Sequence, residues 1–404
     1  MFTFLIQFLD LIKGQGVGLF FLFFVVAWGT YGVKLLRRRK YTLPFVFVPH
    51  LTTSIIVPVY YEDSDIWLTT LSYLQKFAQQ SKIIIVSNGK ENGEAEVARG
   101  LGFKVLSLPK ANKREAVVKA ARELKTDITF VLDSDTWLSE GAIAKMLTPF
   151  IDPTVGGVTP KQEIFTRHPL FRRISDWMED LRFYNTVMQQ SVGGAVACLP
   201  GRILAIRTKL LQKASPEFLN ERFLWTRCVT GDDRFLTSWL LKHGHKTIYQ
   251  SDVTVRTDSP VTFKKFLQQR LRWSRSSFRE SLLSIPWIWR YPYTAFSVFM
   301  DIFVRWFFFA VIVNAVLLWT VGRVADHYIW HVLPSQGTTT VVVLGTIIGF
   351  LISGLFRQVD HLRRYPEDFK YLPVFLIITT FVLTPLEWYG NLTCFKNSWL
   401  TKKI

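Results

Sequence analysis

The chain has 404 residues, of which 49 are Lys or Arg and 31 are Asp or Glu, so its formal net charge is +18, and 49% of its residues are hydrophobic. This basic excess indicates a nucleic acid, an anionic membrane surface or an anionic substrate as partner, but the aromatic residues concentrate in apolar runs, which disfavours a nucleic-acid binder. The three cysteines, Cys198, Cys228 and Cys394, form neither a disulfide framework nor a zinc site, which favours a main domain in the reducing cytosol.

The first predicted element is a membrane-spanning helix. Residues 17–36 are apolar and long enough to cross a bilayer. Four cations follow at 37–40 and mark the cytosolic side, whereas a cleaved signal peptide carries its cations before the apolar run. We therefore predict an N-terminal transmembrane helix within residues 1–40, with the N-terminus outside the cell.

Residues 41–258 have the pattern of a cytosolic α/β domain. Short apolar runs of buried-strand type lie at 54–59, 82–87, 103–108 and 127–132. Helical patterns such as 113–125 separate them, which predicts a parallel-rich sheet covered on both faces. Ligands of such sheets bind at the carboxyl ends of the strands, here residues 60–63, 88–89 and 133–135.

Two acidic pairs are candidates for chemistry. Asp133 and Asp135 directly follow a predicted strand, where they would suit a divalent cation that also holds phosphate oxygens. A solvated turn is an equal alternative, because Asp favours turns. Asp232 and Asp233 open a predicted helix, where one acid would serve as an N-terminal cap and the other is a candidate general base.

Residues 259–293 are predicted to form amphipathic helices at the membrane interface. Gln269, Arg272 and Trp273 share one helical face there. The planar donors of Arg suit phosphate, and a Trp face suits stacking on a sugar ring. A basic helix lying on anionic lipid is the alternative interpretation, and it accounts for the other cations of this segment.

Residues 294–404 are predicted to form a transmembrane and re-entrant channel region. The apolar runs 294–321 and 339–356 are long enough to span, whereas 371–385 is shorter and is either a kinked span or a segment that re-enters, the form we predict. Asp301 and Arg305 lie four residues apart in the first run. They would share a helical face, either as a self-paired couple or as the lining of a polymer entrance.

Three motifs together resemble the processive family 2 glycosyltransferases, which are the hyaluronan, cellulose and chitin synthases. They are Asp-x-Asp at 133–135, Gly-Asp-Asp at 231–233 and Gln-x-x-Arg-Trp at 269–273. Residues 155–164 are similar to hyaluronan synthases, and 196–207 to the type 3 pneumococcal capsule synthase. The tail, 398–403, resembles the family's Trp-Gly-Thr-Arg motif with Leu400 and Lys402 as substitutions.

The resemblance implies a GT-A type α/β glycosyltransferase domain flanked by transmembrane and interface helices. It implies a multi-pass protein of the plasma membrane that polymerises UDP-sugars into a β-linked polysaccharide with the help of Mg²⁺ or Mn²⁺. We favour a glucuronate-containing polymer, made from UDP-GlcA with UDP-Glc or UDP-GlcNAc and secreted across the lipid bilayer by the protein itself. The alternatives are a chitin or chitooligosaccharide synthase, a non-processive transferase acting on a lipid carrier, and a transport or scaffold protein with a degenerate nucleotide domain.

The resemblance also implies a role for each site residue. Asp233 would be the general base with Asp232 beside it, Asp133 would contact the nucleotide, and Asp135 would bind the metal together with Asp133. Residues implied to bind the UDP-sugar are Glu62, Asn88, Lys113, Asp133, Gln269, Arg272, Trp399, Thr401 and Lys402. Residues implied to contact the acceptor are Trp273, Cys198 and Gly201. Many family members have Asp after the second strand to bind uracil or ribose, whereas this chain has Ser87 and Asn88, and Asn can still form hydrogen bonds there.

Overall fold

The computed structural model describes residues 17–43, 47–89, 93–168, 170–320 and 354–397. The chain divides into two compact units. One consists of Met1–Leu36 and Phe296–Trp388, and the other of Arg37–Ala295 and Tyr389–Ile404.

The larger unit is built on one sheet that has eight strands in the described residues. Its strands are β1 (Thr53–Val59), β2 (Ser81–Asn88), β3 (Lys104–Leu108), β4 (Ile128–Leu132), β5 (Thr136–Leu138), β6 (Val155–Ile164), β7 (Ile203–Arg207) and β10 (Lys246–Thr257). The order across the sheet is β3-β2-β1-β4-β7-β6-β10-β5. A separate hairpin consists of β8 (Arg222–Phe223) and β9 (Thr226–Arg227).

The sheet is mostly parallel, as the sequence predicts. β1 pairs in parallel with β2 and β4, β2 with β3, and β6 with β10. β7 is antiparallel to both of its neighbours, and β5 is antiparallel to β10. The antiparallel direction of β7 is invisible in the sequence, because a strand buried on both faces is a continuous apolar run in either direction.

Helices cover both faces of the sheet. On one face are α2 (Ser64–Gln75), α3 (Gly93–Gly100) and α5 (Ala142–Leu147), and on the other are α4 (Lys113–Ala121), α8 (Thr208–Asn220) and α9 (Asp232–Lys242). Successive side chains of a strand point to opposite faces. Ile55 and Val57 of β1 therefore belong to one core and Ile56 to the other, and all three are fully buried.

The remaining helical segments lie toward the ends of the chain or beside the sheet. They are α1 (Val17–Arg38), α6 (Leu170–Arg182), a π-turn at Phe183–Val187, α7 (Met188–Ser191), α10 (Phe263–Ser284), a 3₁₀ turn at Ile288–Arg290, α11 (Pro292–Thr320), residues 354–364, a 3₁₀ turn at Pro366–Tyr371, α12 (Leu372–Ile377), a π-turn at Ile378–Leu383 and α13 (Thr384–Leu392). A further 3₁₀ turn at Thr148–Ile151 follows α5.

Two described helical stretches, Pro292–Val313 and Pro366–Leu392, are long and apolar enough to cross a membrane by length and composition. The second is longer than the apolar run at 371–385, because the helix continues through the turns on either side of that run. The length of this helix therefore does not support re-entry of residues 371–385, and their re-entry stays a prediction. That α1 spans the membrane also stays a prediction. Most of the predicted span 339–356, namely residues 339–353, lies outside the described residues.

Asp301 and Arg305 of α11 are not paired with each other, so the expectation of a self-paired couple is wrong. The Asp301 carboxylate contacts the ammonium group of Lys34 on α1. Arg305 Nη1 lies 3.0 Å from Oε2 of Glu387 on α13. Neighbouring helices of the same unit thus supply each charge with an opposite one, which satisfies charges that are costly in an apolar span.

Candidate active site

The carboxyl end of β4 is fixed by contacts to two neighbouring segments. The backbone N–H of Asp133 donates to the carbonyl oxygen of Arg202 at 2.9 Å. The Ser134 hydroxyl donates to Oε2 of Glu62 at 2.6 Å. Because Glu62 follows β1 and Arg202 precedes β7, these contacts bring the predicted strand-end residues to one edge of the sheet.

Carboxylates crowd around Asp135. Burial and the negative charges of Asp133, Glu62 and Asp258 raise the pKa of Asp135 to about 7. The positive charge of Arg202 opposes this shift only in part. A divalent cation would relieve this repulsion, and carboxylate oxygens are the hard ligands that Mg²⁺ or Mn²⁺ prefers. The residues present therefore fit a metal held by Asp133 and Asp135. Within the described ranges there is no group of three or more His, Cys, Asp or Glu side chains that could hold one ion.

The start of α4 is positioned by two asparagines. Asn112 caps the helix, and its side chain accepts hydrogen bonds from the backbone N–H groups of Arg114 and Glu115. Asn88, at the end of β2, accepts the backbone N–H of Asn112 at 2.6 Å. The structure thus gives Asn88 a part in placing α4, while its contact with the nucleotide stays a prediction.

Lys113, the first residue of α4, connects the two acidic pairs. Its ammonium group contacts the Asp133 carboxylate. Burial lowers the pKa of Lys113, but the charges of Asp133, Asp232 and Asp233 outweigh burial and raise it above the ordinary value. Lys113 is therefore charged, and the two motifs that the sequence separates by almost a hundred residues share one site.

Asp232 is held by Arg114, a residue to which the sequence analysis assigned no role. Nε of Arg114 lies 2.9 Å from Oδ1 of Asp232, and Nη2 lies 2.6 Å from Oε2 of Glu221. Only 2% of Arg114 is exposed. Burial raises the pKa of Asp232, although Arg114 and Lys113 oppose the shift. The signal for Arg114 was its position directly after Lys113, at the start of a predicted helix.

Asp233 is placed differently, against the segment that precedes β7. Its Oδ2 accepts the backbone N–H of Gly201 at 2.9 Å and lies 3.8 Å from Sγ of Cys198. A Cβ atom on Gly201 would lie 3.2 Å from Cβ of Asp233, so the close approach leaves little room for a side chain. Burial raises the pKa of Cys198 to about 12, which keeps it a thiol. A small cavity borders both acids, and its lining consists of Lys113, Val117, Val131, Gly201, Leu204, Phe218, Asp232, Asp233 and Leu236.

Helix α10 brings Arg272 to the aspartates. Burial lowers the pKa of Arg272, while the charges of four carboxylates oppose the shift, those of Asp133, Asp232, Asp233 and Asp135. Oε1 of Gln269, three residues earlier on the same face, is buried and has no hydrogen-bond partner among the described residues. The predicted face of α10 is therefore the one turned to the acidic pairs. Trp399, Thr401 and Lys402 lie outside the described residues.

Trp273 lies among arginines. The guanidinium carbon of Arg270 is 4.9 Å from the centroid of its ring, and that of Arg202 is 5.5 Å away. Arg275 and Arg279, farther along α10, instead anchor the helix. Arg275 Nε donates to Oγ1 of Thr393 at 3.0 Å, and Arg279 Nη2 donates to the carbonyl oxygen of Thr230 at 2.8 Å.

Comparison with known proteins agrees with this geometry. The family described as glycosyltransferase like family 2 matches residues 49–276. The hyaluronan synthase of Streptococcus pyogenes is 28% identical over 397 residues, which cover 93% of this chain and 91% of that protein. An N-acetylglucosaminyltransferase of Rhizobium meliloti (strain 1021) is 26% identical over 366 residues, covering 88% of this chain and 82% of that one.

A solved structure shows the same fold. The mannosyltransferase PcManGT from Pyrobaculum calidifontis, in complex with GDP-Man and Mn²⁺, gives a TM-score of 0.65 at 15% identity over 94% of this chain and 99% of that chain. The expected GT-A fold is thereby confirmed. The family match runs from the residues before β1 to the Gln-x-x-Arg-Trp helix and so includes both acidic pairs. The chain belongs to glycosyltransferase-like family 2 and is of the processive, hyaluronan synthase type that its motifs resemble.

Proposed function

We propose that this protein is an inverting polysaccharide synthase that transfers sugars from UDP donors to a growing chain. The observation that supports this function best is the meeting of both acidic pairs with Lys113 and Arg272 in one site. A turn or a helix cap requires no such meeting. A transferase does require such an arrangement, because the groups that hold the leaving diphosphate and the group that activates the attacking hydroxyl must all lie next to the same anomeric carbon.

The donor side of the proposed site consists of Asp133, Asp135, Lys113 and Arg272. Mg²⁺ or Mn²⁺, held by the two aspartates, would neutralise the diphosphate and stabilise it as a leaving group. Lys113 and Arg272 supply fixed positive charge for the same diphosphate, and the planar donors of Arg suit its oxygens. Glu62 lies beside Ser134 at the edge of this site and is proposed to face the nucleotide.

On the acceptor side, Asp233 is the proposed general base. Its carboxylate is oriented by two backbone N–H groups, those of Gly201 and Arg234, each at 2.9 Å. Asp233 takes the proton of the acceptor hydroxyl while the hydroxyl oxygen attacks the anomeric carbon and the bond to UDP breaks. One displacement of this kind converts an α-linked donor into a β-linked product.

The proposed donors are UDP-GlcA together with UDP-Glc or UDP-GlcNAc. The test is UDP release with each donor alone and in pairs, followed by digestion of the product with hyaluronidase and chitinase. Polymer formed only from a pair that includes UDP-GlcA supports the proposal. Chitinase-sensitive product from UDP-GlcNAc alone favours the chitin alternative, which the rhizobial relative makes the second candidate. Short, organic-soluble product favours a lipid carrier, and absence of UDP release with every donor contradicts a transferase.

We also propose that the catalytic unit faces the cytosol and that the helices of the other unit carry the polymer through the bilayer. The two apolar stretches Pro292–Val313 and Pro366–Leu392 support this arrangement. Single cysteines at Arg363 and at Ile404 test it, with an impermeant maleimide on intact cells and the native chain as control. Labelling at neither position agrees with re-entry of the last segment. Labelling at Arg363 alone makes Pro366–Leu392 a complete span, and labelling at Ile404 removes the tail from the catalytic site.

A further inference from the structure

Two consecutive residues connect the proposed base with the aromatic ring of α10. The N–H of Gly201 donates to Asp233, and the next residue, Arg202, has its guanidinium carbon 5.5 Å from the centroid of the Trp273 ring. The carbonyl oxygen of Arg202 accepts the N–H of Asp133 at 2.9 Å, which holds this segment against the end of β4. A sugar that presents a hydroxyl to Asp233 and stacks on Trp273 therefore lies beside Arg202.

Arg202 is buried but has hydrogen-bonding capacity to spare. It is 8% exposed, and its Nη1 lies 3.0 Å from Oε1 of Glu179 and 3.2 Å from Oε1 of Gln162. Its Nη2 is buried and has no hydrogen-bond partner in the described part of the chain. A buried donor without a partner is unfavourable, so this nitrogen is suited to an acceptor atom that a ligand brings.

Two further arginines lie close to Arg202 and its partner Glu179. Arg182 shares the Glu179 carboxylate with Arg202, and Arg270 lies over the Trp273 ring at 4.9 Å. Burial raises the pKa of Glu179, but the charges of Arg182, Arg202 and Arg270 outweigh burial and lower it to about 2. Glu179 therefore interacts with three guanidinium groups, while Asp135 lies within electrostatic range of Arg202 on the other side.

We propose that Arg202, together with Arg270 beside Trp273, binds the carboxylate of a uronic acid residue in the acceptor chain. The inference rests on the proposed function, since it assumes that the acceptor lies between Asp233 and Trp273. A guanidinium group fits a carboxylate through two parallel hydrogen bonds, whereas a neutral hexose offers it no charged partner. The diphosphate of the donor has Arg272 and Lys113 among the aspartates, so Arg202 is left for the acceptor.

The decisive comparison uses two ligands on the full-length protein with UDP bound. One is a β-linked oligosaccharide with glucuronate at its non-reducing end, and the other is the same oligosaccharide with its carboxyl groups reduced to alcohols. We expect the native protein to bind the carboxylated form about 10- to 100-fold more tightly, as expected for hydrogen bonds to a charged group. Equal affinity for the two ligands overturns the inference without any substitution.

Three variants test whether Arg202 causes the preference for the carboxylated oligosaccharide. Arg202→Gln should bind both oligosaccharides about equally, and Arg202→Lys should keep part of the preference because it keeps the charge. Arg256→Gln is the matched control, since Arg256 is an exposed arginine 5.9 Å from the Phe165 ring. It should keep the native preference. A full preference in Arg202→Gln, or its loss in Arg256→Gln, contradicts the assignment to Arg202.

Two further readouts separate the possible failures. If Arg202→Gln loses affinity for UDP-GlcA relative to UDP-Glc but keeps its preference among the oligosaccharides, the carboxylate belongs to the donor and the inference is wrong. UDP release by the native protein without any preference among the oligosaccharides defeats this inference alone. No UDP release with any donor defeats the proposed function instead.

Discussion

The carboxylate of Asp232 and the guanidinium group of Arg114 form a buried ion pair, with 2.9 Å between Oδ1 and Nε. The adjacent Asp233 accepts the backbone N–H groups of Gly201 and Arg234, each at 2.9 Å. Two neighbouring acids that the sequence cannot tell apart thus have different environments. Asp232 is held by a cation and Asp233 by backbone N–H groups, which makes Asp233 the residue that we propose as the general base.

Asp233→Asn should keep UDP binding and abolish most transfer, because Asn keeps the shape of the side chain but cannot accept the proton. The expected loss in rate is on the order of 10²–10⁴. UDP affinity and polymer synthesis are to be measured side by side, with Asp232→Asn as comparison. Near-native synthesis by Asp233→Asn together with a dead Asp232→Asn variant would assign the base to Asp232.

Asp135→Asn should weaken UDP binding in the presence of Mn²⁺ and make it insensitive to removal of the metal, because a neutral amide is a poorer ligand for a hard cation. Calorimetric titration with UDP, with Mn²⁺ or with a chelator, measures both effects. Asp252→Asn is the control, since Asp252 is an exposed carboxylate that pairs with Lys145 at 3.8 Å. If Asp135→Asn binds UDP with the same affinity and the same metal dependence as the native protein, Asp133 and Asp135 form only a solvated turn.

Arg114→Ala should destabilise the protein strongly. It removes the guanidinium group that pairs with both Asp232 and Glu221, and breaking a buried pair of this kind costs about 3–5 kcal/mol. Arg227→Ala is the matched control, because Arg227 is half exposed and lies 3.9 Å from Glu115, so its loss should cost about 0–1 kcal/mol. The free energies of unfolding of both variants are to be measured in the same detergent. Equal losses in the two variants would show that Arg114 does not anchor Asp232 and Glu221.

Glu280→Gln should stabilise the protein at neutral pH. Burial, a hydrogen bond to Glu221 and the charge of Glu221 raise the pKa of Glu280 well above its usual range. The folded chain then binds a proton that the unfolded chain loses near its ordinary pKa of about 4.3, so stability falls as pH rises from that value through the raised pKa. Gln does not titrate. Melting temperatures between about pH 5 and pH 8 should fall less steeply in the variant, and parallel curves would refute the raised pKa.

Removing whole ion pairs from the unit that contains α1, α11 and α13 tests whether these pairs line the proposed path of the polymer. Lys34→Met with Asp301→Leu removes both members of one pair, and Arg305→Met with Glu387→Leu removes both members of the other. A polysaccharide needs polar partners to cross hydrocarbon. We therefore expect UDP release to continue while the secreted polymer shortens or disappears. Polymer of native length in both variants would mean that the pairs only hold helices together.

Local patterns in the sequence predict the strands β1 to β4, the acidic pair that follows β4, the acidic pair that opens α9 and the face of α10 that bears Gln269 and Arg272. These features depend on local periodicity, on the geometry of parallel strands and on the spacing of side chains along a helix, all of which are written in consecutive residues. Features that depend on contacts between residues distant in the chain are visible only in the tertiary structure. Arg114 and Asp232 are 118 positions apart, and no local pattern shows which of two adjacent acids will meet a cation. The same holds for the direction of β7, the partners of Asp301 and Arg305 and the place of Arg202 beside Trp273, because burial and pairing of charges are settled only when separate segments pack together.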